Sequence, residues 1–177
     1  MKLRQKKCKA CGEKFSPFNS LQKACGPACA LKVGRQELQR KAKQDTRERK
    51  QKLKTRQDWL REAQAVFNKY IRLRDVDNPC ISCGRLHNGK VNAGHYRTVK
   101  AAPHLRFDER QVNLQCEPCN SYLSGNIGEY RIGLIRKIGL DEVEAIESDN
   151  RVKRWTIEEA KAIKEKYTKK IKELQNV

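Results

Sequence analysis

In the stretch Asn113-Leu114-Gln115-Cys116-Glu117-Pro118-Cys119-Asn120, an extended segment runs into a Cys-x-x-Cys pair that is followed at once by asparagine. A second pair, Cys80 and Cys83, lies upstream, and His95 falls between the two pairs. Together the pairs supply four thiolates, which are a common ligand set of structural zinc. The sequence therefore predicts a zinc-bound unit that holds His95 in place.

Four further cysteines stand near the N-terminus: Cys8, Cys11, Cys25 and Cys29. Their spacing provides both halves of a second tetrahedral zinc site. The apolar residues between the halves are expected to form a miniature core over the metal: Phe15, Pro17, Phe18 and Leu21.

Charged residues make up 34% of the chain and aromatic residues 6%, so the apolar core must be modest. Structural zinc, with roughly 10–16 kcal/mol of binding free energy in finger peptides, is a plausible source of stability.

Disulfide bonds are the alternative for an even number of cysteines. The N-terminus, however, has basic residues without the apolar segment of a secretory signal. No run approaches the roughly 18 apolar residues of a membrane span. We therefore expect a cytoplasmic protein without membrane attachment, in which thiols stay reduced and Cys-x-x-Cys pairs bind metal.

Composition changes along the chain and predicts three segments. Residues 1–30 form an N-terminal knuckle, and residues 58–177 form the main domain. Residues 31–57, between them, are rich in Lys, Arg, Gln and Glu and have few apolar positions. A helix that is polar on all sides needs a partner to be stable, so this segment is expected to be a basic helical arm or, alternatively, a flexible linker.

Positive charge is concentrated in the N-terminal third of the chain. Residues 1–58 contain 18 Lys/Arg and 5 Asp/Glu, which is +13 of the total formal charge of +19. Neutralising phosphates releases counterions and drives binding without regard to sequence. Nucleic acid is therefore the expected partner, and a solvated basic tail is the alternative.

Periodicity places the regular elements of the main domain. Asp58 is a suitable N-cap, and the apolar residues after it follow helical spacing: Trp59, Leu60, Ala63, Val66, Phe67, Tyr70 and Ile71. Strands are expected over 91–96 and 111–114. Later helices are expected to include one that ends at Gly139 and one that begins at the capping box Thr156-Ile157-Glu158-Glu159. The predicted fold class is α+β, with a small zinc-bound ββα-metal core buttressed by helices.

All three histidines lie between positions 87 and 104. His87 stands beside Asn88-Gly89 and is expected in a turn. His104 follows Pro103 and is expected to contact phosphate or to lie on the surface. His95 lies between Gly94 and Tyr96, in the segment that the zinc site would hold still, which favours a catalytic role over a structural one.

His95, Asn113 and Asn120, set around two Cys-x-x-Cys pairs, resemble the His-Asn-Asn variant of the zinc-stapled HNH nucleases. Several motifs more narrowly resemble the NinG (Rap) recombination proteins of lambdoid phages: Ala93-Gly94-His95-Tyr96-Arg97-Thr98, Ala101-Ala102-Pro103, Leu105-Arg106-Phe107, Cys116-x-x-Cys119-Asn120, Ser124-Gly125-Asn126 and Arg154-Trp155-Thr156-Ile157-Glu158-Glu159. The resemblance covers nearly the whole chain. It implies a metal-dependent endonuclease that cuts branched DNA, such as D-loops and Holliday junctions, during phage recombination.

The resemblance also implies roles for individual residues. His95 is the expected general base, because a neutral imidazole can take a proton from water near neutral pH. Asn113 is expected to orient His95 through its side-chain amide. Asn120 is expected to contribute an oxygen to a catalytic Mg²⁺ or Mn²⁺ ion, which would stabilise charge on the scissile phosphate.

The residue before the expected base departs from the pattern of many HNH sites. Those sites carry Asp or His there as a metal ligand, whereas this chain has Gly94. A carboxylate is therefore expected from elsewhere, and the candidates are Asp108 and Glu129, with Glu109 a weaker third. The alternative is that these acids only balance neighbouring arginines.

Basic residues around the site are expected to contact phosphates: Arg97, Lys100, Arg106 and Arg110. No segment resembles a base-reading helix, so recognition of DNA shape is expected over recognition of sequence. Symmetric cutting of a junction further favours a homodimer. The competing hypothesis is a non-catalytic zinc module that binds nucleic acid as an accessory recombination factor, and a protein-interaction adaptor is a third hypothesis.

Overall fold

Two units make up the chain in the computed structural model, which describes residues 4–86 and 89–176. The units are Met1–Lys54 and Thr55–Val177. Each combines helical structure with a two-stranded antiparallel sheet, one long helix in the first unit and several in the second, which confirms the predicted α+β class. The knuckle and the basic arm, predicted as separate segments, largely fall in the first unit, because one helix runs from within the knuckle through most of the arm.

The first unit consists of a short β-ribbon and one long helix. Strands β1 (Lys6–Lys7) and β2 (Lys14–Phe15) pair antiparallel. Helix α1 spans Pro27–Lys52. Proline suits its first position, where an N–H would have no partner within the helix. Of the two structures expected for the arm, a helix and a flexible linker, the protein has the helix.

Small side chains and sulfur atoms form the core of the first unit. The residues buried together are Cys8, Ala24 and Val33. Phe15 packs against them, and Pro17 is also buried. Phe18 and Leu21, however, are 93% and 84% exposed, so the prediction that they belong to the miniature core is wrong. A four-sulfur cluster already fills the centre of so small a unit and leaves no interior volume for two more large side chains.

Helix α2 spans Arg56–Arg74 and opens the second unit. Its N-cap is Thr55, which forms a capping box with Asp58: the Thr55 hydroxyl accepts from the Asp58 N–H, and the Asp58 carboxylate accepts from the Thr55 N–H. Asp58 therefore stands at the third helical position, and the prediction that it is the N-cap is wrong by three residues. The predicted apolar face is confirmed, and its buried members are Leu60, Ala63, Phe67, Tyr70 and Ile71.

A β-hairpin follows, made of β3 (Val91–His95) and β4 (Val112–Cys116). The strands pair antiparallel, with Gly94 opposite Asn113 and His95 opposite Val112. Residues directly opposite one another project to the same face of a sheet, and successive residues alternate between faces. His95 and Val112 therefore share one face of the hairpin, and Gly94 and Asn113 share the other.

Three helices complete the second unit: α3 (Ile127–Ile138), α4 (Leu140–Ser148) and α5 (Ile157–Gln175). Gly139 separates α3 from α4 with a φ of 88°, in the region that favours glycine. Thr156 and Glu159 form the capping box at the start of α5. Both predicted boundaries are thus confirmed.

The hairpin lies between two apolar clusters. One face contributes Ala93 and Val112 to a core with α2 and α5, where Phe67 and Tyr167 pack edge to face at 4.8 Å between ring centres. The second cluster joins α3 and α4 to the loop between the strands. Helices therefore support the hairpin from both sides. No helix within 4–86 or 89–176 has the length and apolar character needed to cross a membrane.

Candidate metal centres and the His95 site

Four cysteines of the second unit converge at the end of the hairpin: Cys80, Cys83, Cys116 and Cys119. Their sulfur atoms lie within 4.8 Å of one another, and the sulfurs of Cys83 and Cys116 are 3.9 Å apart. A tetrahedral zinc ion with Zn–S bonds of about 2.3 Å requires sulfurs roughly 3.8 Å apart. The cluster therefore fits zinc, and it could hold that ion.

Backbone contacts place this cluster against the hairpin. The Ile81 N–H donates to the Leu114 carbonyl at 3.1 Å, and the Cys116 N–H donates to the Cys80 sulfur at 3.4 Å. Helix α3 comes so close that a Cβ on Gly133 would lie 1.9 Å from the Ile81 carbonyl oxygen. Glycine is thus required at 133 for α3 to pack on the cysteine loop.

The first unit carries the second cluster, formed by Cys8, Cys11, Cys25 and Cys29. The sulfurs of Cys11 and Cys25 are 3.7 Å apart, which again fits zinc. Backbone N–H groups lower the pKa of the Cys8 thiol to about 6, whereas the neighbouring thiols, Cys29 first, raise the pKa of Cys25 to about 12. Four thiolates at this spacing repel one another, so their joint ionisation requires a cation.

His95 ends strand β3 and is half-buried. Its Nε2 lies 3.2 Å from the Arg106 carbonyl oxygen, and Arg106 Nε in turn donates to Gln64 Oε1 at 2.8 Å. The tautomer with its proton on Nε2 donates to that carbonyl and leaves the lone pair on Nδ1. Burial, the largest effect, lowers the pKa of His95 below 6.5, although the carbonyls of Arg106 and Ala93 oppose the shift. The imidazole is therefore neutral at neutral pH.

Asn113 lies on the opposite face of the hairpin and is 1% exposed. Its Oδ1 accepts from Lys137 at 2.6 Å and from Arg74 at 3.3 Å, and its Nδ2 lies 3.3 Å from the Tyr130 hydroxyl. Tyr130 in turn donates to the Gly94 carbonyl at 2.8 Å. The expected contact between the Asn113 amide and the imidazole is therefore replaced by an indirect one, through Tyr130 to the residue before His95.

Gln115 explains why the residue before His95 is glycine. A Cβ on Gly94 would lie 2.2 Å from Gln115 Oε1. The Gln115 amide cannot move aside freely, because its Nε2 donates to Ser82 Oγ at 2.8 Å and to the Gly125 carbonyl at 2.6 Å. The space that a carboxylate at position 94 would need is thus occupied, and the same amide ties the hairpin to the cysteine loop.

The three candidate acids have different surroundings. Asp108 is paired with Arg110, whose guanidinium donates to both carboxylate oxygens. Glu109 accepts from Lys170 at 2.7 Å and from the hydroxyls of two buried tyrosines, Tyr70 and Tyr167. Glu129 is exposed in the first turn of α3. Glu129 is therefore the candidate whose carboxylate is most available to a cation.

Asn120 lies in the short helical turn Pro118–Tyr122, directly after Cys119. It is half-buried. Since the cysteine cluster holds Cys119, it also holds the turn that carries Asn120.

The four basic residues expected to contact phosphate differ in how many hydrogen bonds and ion pairs they already form within the protein. Arg97 donates to the carbonyls of Ile146, Glu147 and Asp149 at the end of α4, so it caps that helix and the expectation of a phosphate contact is not supported. Arg106 is held by Gln64, and Arg110 pairs with Asp108 and Glu142. Lys100 is exposed and remains the best placed of the four.

The other two histidines lie outside this arrangement. The His104 side chain is 7% exposed, with Nε2 3.1 Å from an Asp149 carboxylate oxygen, so the prediction of a surface position is wrong. Asp149, which follows α4, contacts this ring. His87, expected in a turn, lies outside the described residues.

Sequence patterns did not predict the buried polar residues that anchor strand β4 to the end of α2. Asp75 is 3% exposed and forms a two-pronged ion pair with Arg74 at 2.7–2.8 Å. It also accepts from the Leu114 N–H at 3.2 Å and lies 3.5 Å from Lys137. The sequence signal for this pair was weak, because charged residues such as Arg74 and Asp75 are common at the end of an amphipathic helix.

Fold and site together define an α+β protein with two four-cysteine centres that could hold zinc and a histidine-bearing hairpin between helical layers. Residues 1–176 match the family model described as Bacteriophage Lambda NinG protein. Protein ninG of Escherichia phage lambda and that of Salmonella phage P22 are each 42% identical over 195 residues, covering 97% of this chain and 94% and 95% of those proteins. The chain therefore belongs to the NinG family, as its motifs predict. No solved structure matches it significantly.

Proposed function

We propose that this protein is a metal-dependent endonuclease that cuts branched DNA, such as Holliday junctions and D-loops, during phage recombination. The observation that carries the proposal is the setting of His95. Its Nε2 is held by the Arg106 carbonyl, which leaves Nδ1 as the basic nitrogen, and burial lowers its pKa. A half-buried neutral imidazole at the end of a strand whose partner strand runs into a four-cysteine cluster suits a general base.

The proposed reaction is hydrolysis of a phosphodiester bond. His95 takes a proton from water, the resulting hydroxide attacks phosphorus, and the bond to the 3′ oxygen breaks. The departing 3′ oxygen takes up a proton from solvent. The products are a 5′-phosphate and a 3′-hydroxyl, as the resemblance to HNH enzymes implies. Asn113 acts as a positioning residue in this scheme, because it contacts Tyr130, and Tyr130 contacts the Gly94 carbonyl.

We assign the divalent ion to two oxygen donors of the second unit. Mg²⁺ and Mn²⁺ prefer oxygen ligands, and these would be the Asn120 amide oxygen and the exposed Glu129 carboxylate. Asp108 and Glu109 fit less well, since arginine, lysine and tyrosine groups already occupy their oxygens. When bound, the ion would supply charge stabilisation at the phosphate.

Net charge supports DNA as the substrate, and cysteine chemistry supports the host cytoplasm as the location. The net charge of +19 favours a polyanion, and Lys100 and the basic helix α1 are the elements proposed to contact phosphates. Reduced thiols are needed at both cysteine clusters, which is consistent with action in the host cytoplasm.

Cleavage of a four-way junction and of a matched linear duplex by zinc-loaded protein, with Mg²⁺ titrated, tests the proposal. We expect Mg²⁺-dependent nicking that prefers the junction. His95→Ala should retain junction binding in a gel-shift assay and lose cleavage, and added imidazole should restore part of the rate. A His95→Ala variant that cleaves like the wild type would exclude the proposed mechanism.

A non-catalytic zinc module that binds nucleic acid is the second candidate. Two observations favour it: the position before His95 is closed to a carboxylate, and two of the three candidate acids are paired. Junction binding without nicking at any Mg²⁺ or Mn²⁺ concentration would establish it.

A further inference from the structure

Helix α1 carries an apolar stripe on its outer side. Leu31 and Leu38 are 74% and 71% exposed. At 3.6 residues per turn, they lie on the side of the helix opposite Cys29 and Val33, which face the sulfur cluster. The sulfur cluster and its core therefore cannot cover the stripe, because they pack on the other side of the same helix.

The stripe is part of a larger apolar surface of the first unit. Phe18 and Leu21, 93% and 84% exposed, line a groove that also includes Ala30 and Gly34 of the helix. Ala30 and Gly34 in turn border the groove that contains Leu31 and Leu38. Contiguous exposed apolar surface of this kind is a common mark of an interaction site on a soluble protein.

The pattern of the stripe is symmetric about its centre. Leu31 and Leu38 stand at nearly equal distances along the helix on either side of Gly34, and a Cβ on Gly34 would meet no atom within 4 Å. A small residue at such a point lets two helices approach closely. We propose that α1 pairs antiparallel with α1 of a second copy of this chain, so that Leu31 of one copy packs against Leu38 of the other and the helices cross at Gly34.

Charge selects the antiparallel arrangement over the parallel one. Residues 40–52 of α1 contain seven Lys/Arg and two Asp/Glu. Parallel helices would bring two such segments side by side, where like charges repel. Antiparallel helices that cross at Gly34 direct the two basic segments away from each other, towards opposite ends of the pair.

The small number of residues in the proposed contact predicts a dimer of moderate affinity. A stable interface buries about 800 Å² and about 20–30 residues per partner, whereas the proposed contact is made chiefly by one stretch of a single helix. We therefore expect a monomer–dimer equilibrium that responds to protein concentration. This inference does not rest on the proposed nuclease activity, because it concerns the first unit and can be tested without DNA.

Sedimentation velocity of the full zinc-loaded chain, over a range of concentrations, tests the pairing. Leu31→Lys and Leu38→Glu should each weaken the dimer at least tenfold, since each places an unpaired charge opposite leucine. The double variant should restore the dimer, because in the antiparallel arrangement the lysine introduced in one copy would meet the glutamate introduced in the other. Leu53→Glu, which changes a residue that is 80% exposed beyond the stripe, should dimerise like the wild type.

Circular dichroism and zinc content confirm that each variant is folded. A wild-type chain that is monomeric at every concentration overturns the proposal, and so do single variants that dimerise normally. Two monomeric single variants whose combination stays monomeric overturn the antiparallel register. A second double variant, Leu31→Glu with Leu38→Glu, should be monomeric, which separates charge pairing from a general effect of the double change.

Discussion

At the scale of single residues, Gly94 is where the hairpin is most sensitive to an added atom. We expect Gly94→Ala to destabilise the second unit by about 1–3 kcal/mol, the usual cost of forcing a methyl group into a packed site. The physical cause is the 2.2 Å approach to Gln115 Oε1, which would displace an amide held by Ser82 and Gly125. Urea unfolding of the zinc-loaded protein measures the change.

Gly128→Ala is the matched control for this prediction. Gly128 lies in α3, a Cβ there would meet no atom within 4 Å, and alanine is favoured over glycine in helices by about 1 kcal/mol. The control should be neutral or stabilising. Combining Gly94→Ala with Gln115→Ala should cost less than the sum of the two single changes, since the clash disappears with the Gln115 side chain. A Gly94→Ala variant as stable as the wild type would contradict the packing described for Gln115.

The pKa of His95 predicts the pH dependence of the proposed cleavage. A general base is active in its neutral form, so the rate should rise with pH through the pKa of His95 and level off above it. Because burial lowers that pKa below 6.5, the acid limb of the profile should have its midpoint below 6.5. Single-turnover cleavage of a junction between pH 5 and 8 measures the midpoint, and a value well above 6.5 would count against the assigned role.

At the scale of secondary structure elements, Asp75 joins the end of α2 to β4 and α3. It accepts from Arg74 and from the Leu114 N–H and lies near Lys137. Asp75→Asn removes the carboxylate charge and leaves Arg74 and Lys137 without compensation, so we expect a loss of about 3 kcal/mol of unfolding free energy. Glu165→Gln, which breaks an ion pair that is 69% exposed on both sides, should cost less than about 0.5 kcal/mol.

The same carboxylate predicts how acid affects stability. Burial alone would raise the pKa of Asp75, but Arg74, Lys137 and the Leu114 N–H outweigh it and hold the pKa below 3.8. A carboxyl with a lowered folded pKa stabilises the protein above its unfolded pKa of about 3.9 and loses that effect as the pH falls through the folded value. The advantage of wild type over Asp75→Asn should therefore shrink as the pH falls below about 3.9, and an advantage that does not shrink between pH 4 and pH 2 would contradict this assignment.

Elements defined by local chemistry could be predicted from the sequence, whereas tertiary contacts could not. Gly139 marks a helix end because its backbone conformation favours glycine, and the Thr156 capping box marks one through local hydrogen bonds. Both ends were placed correctly. The helix-capping role of Arg97 could not be predicted, because the carbonyls that it caps lie about fifty residues further along the chain. Asn113 is a second example: the resemblance implied that its side-chain amide contacts His95, but only the strand register shows that the two side chains lie on opposite faces of the hairpin.

At the scale of the whole molecule, charge and metal centres are divided between the two units. Met1–Lys54 contains 17 Lys/Arg and 4 Asp/Glu, a net charge of +13, and the remaining residues carry +6 of the total +19. Each unit has its own apolar cluster and its own four cysteines. The elements proposed for chemistry lie in the second unit, and most of the charge that would attract DNA lies in the first.

This division predicts what a fragment of residues 55–177 should do. It should unfold cooperatively and bind one zinc ion where the full chain binds two, because its core and cysteine cluster are its own. Its affinity for a four-way junction should fall, and its plot of log affinity against log salt should be shallower by about 0.9 for each phosphate that the fragment no longer neutralises. Fluorescence anisotropy over a KCl series and metal analysis provide these measurements.

A full-length variant with Arg47 and Lys50 changed to glutamine should give an intermediate slope, since only charge on α1 is removed. An unchanged slope for the fragment would mean that the basic helix does not contact DNA, and a fragment that does not fold would mean that the two units depend on each other.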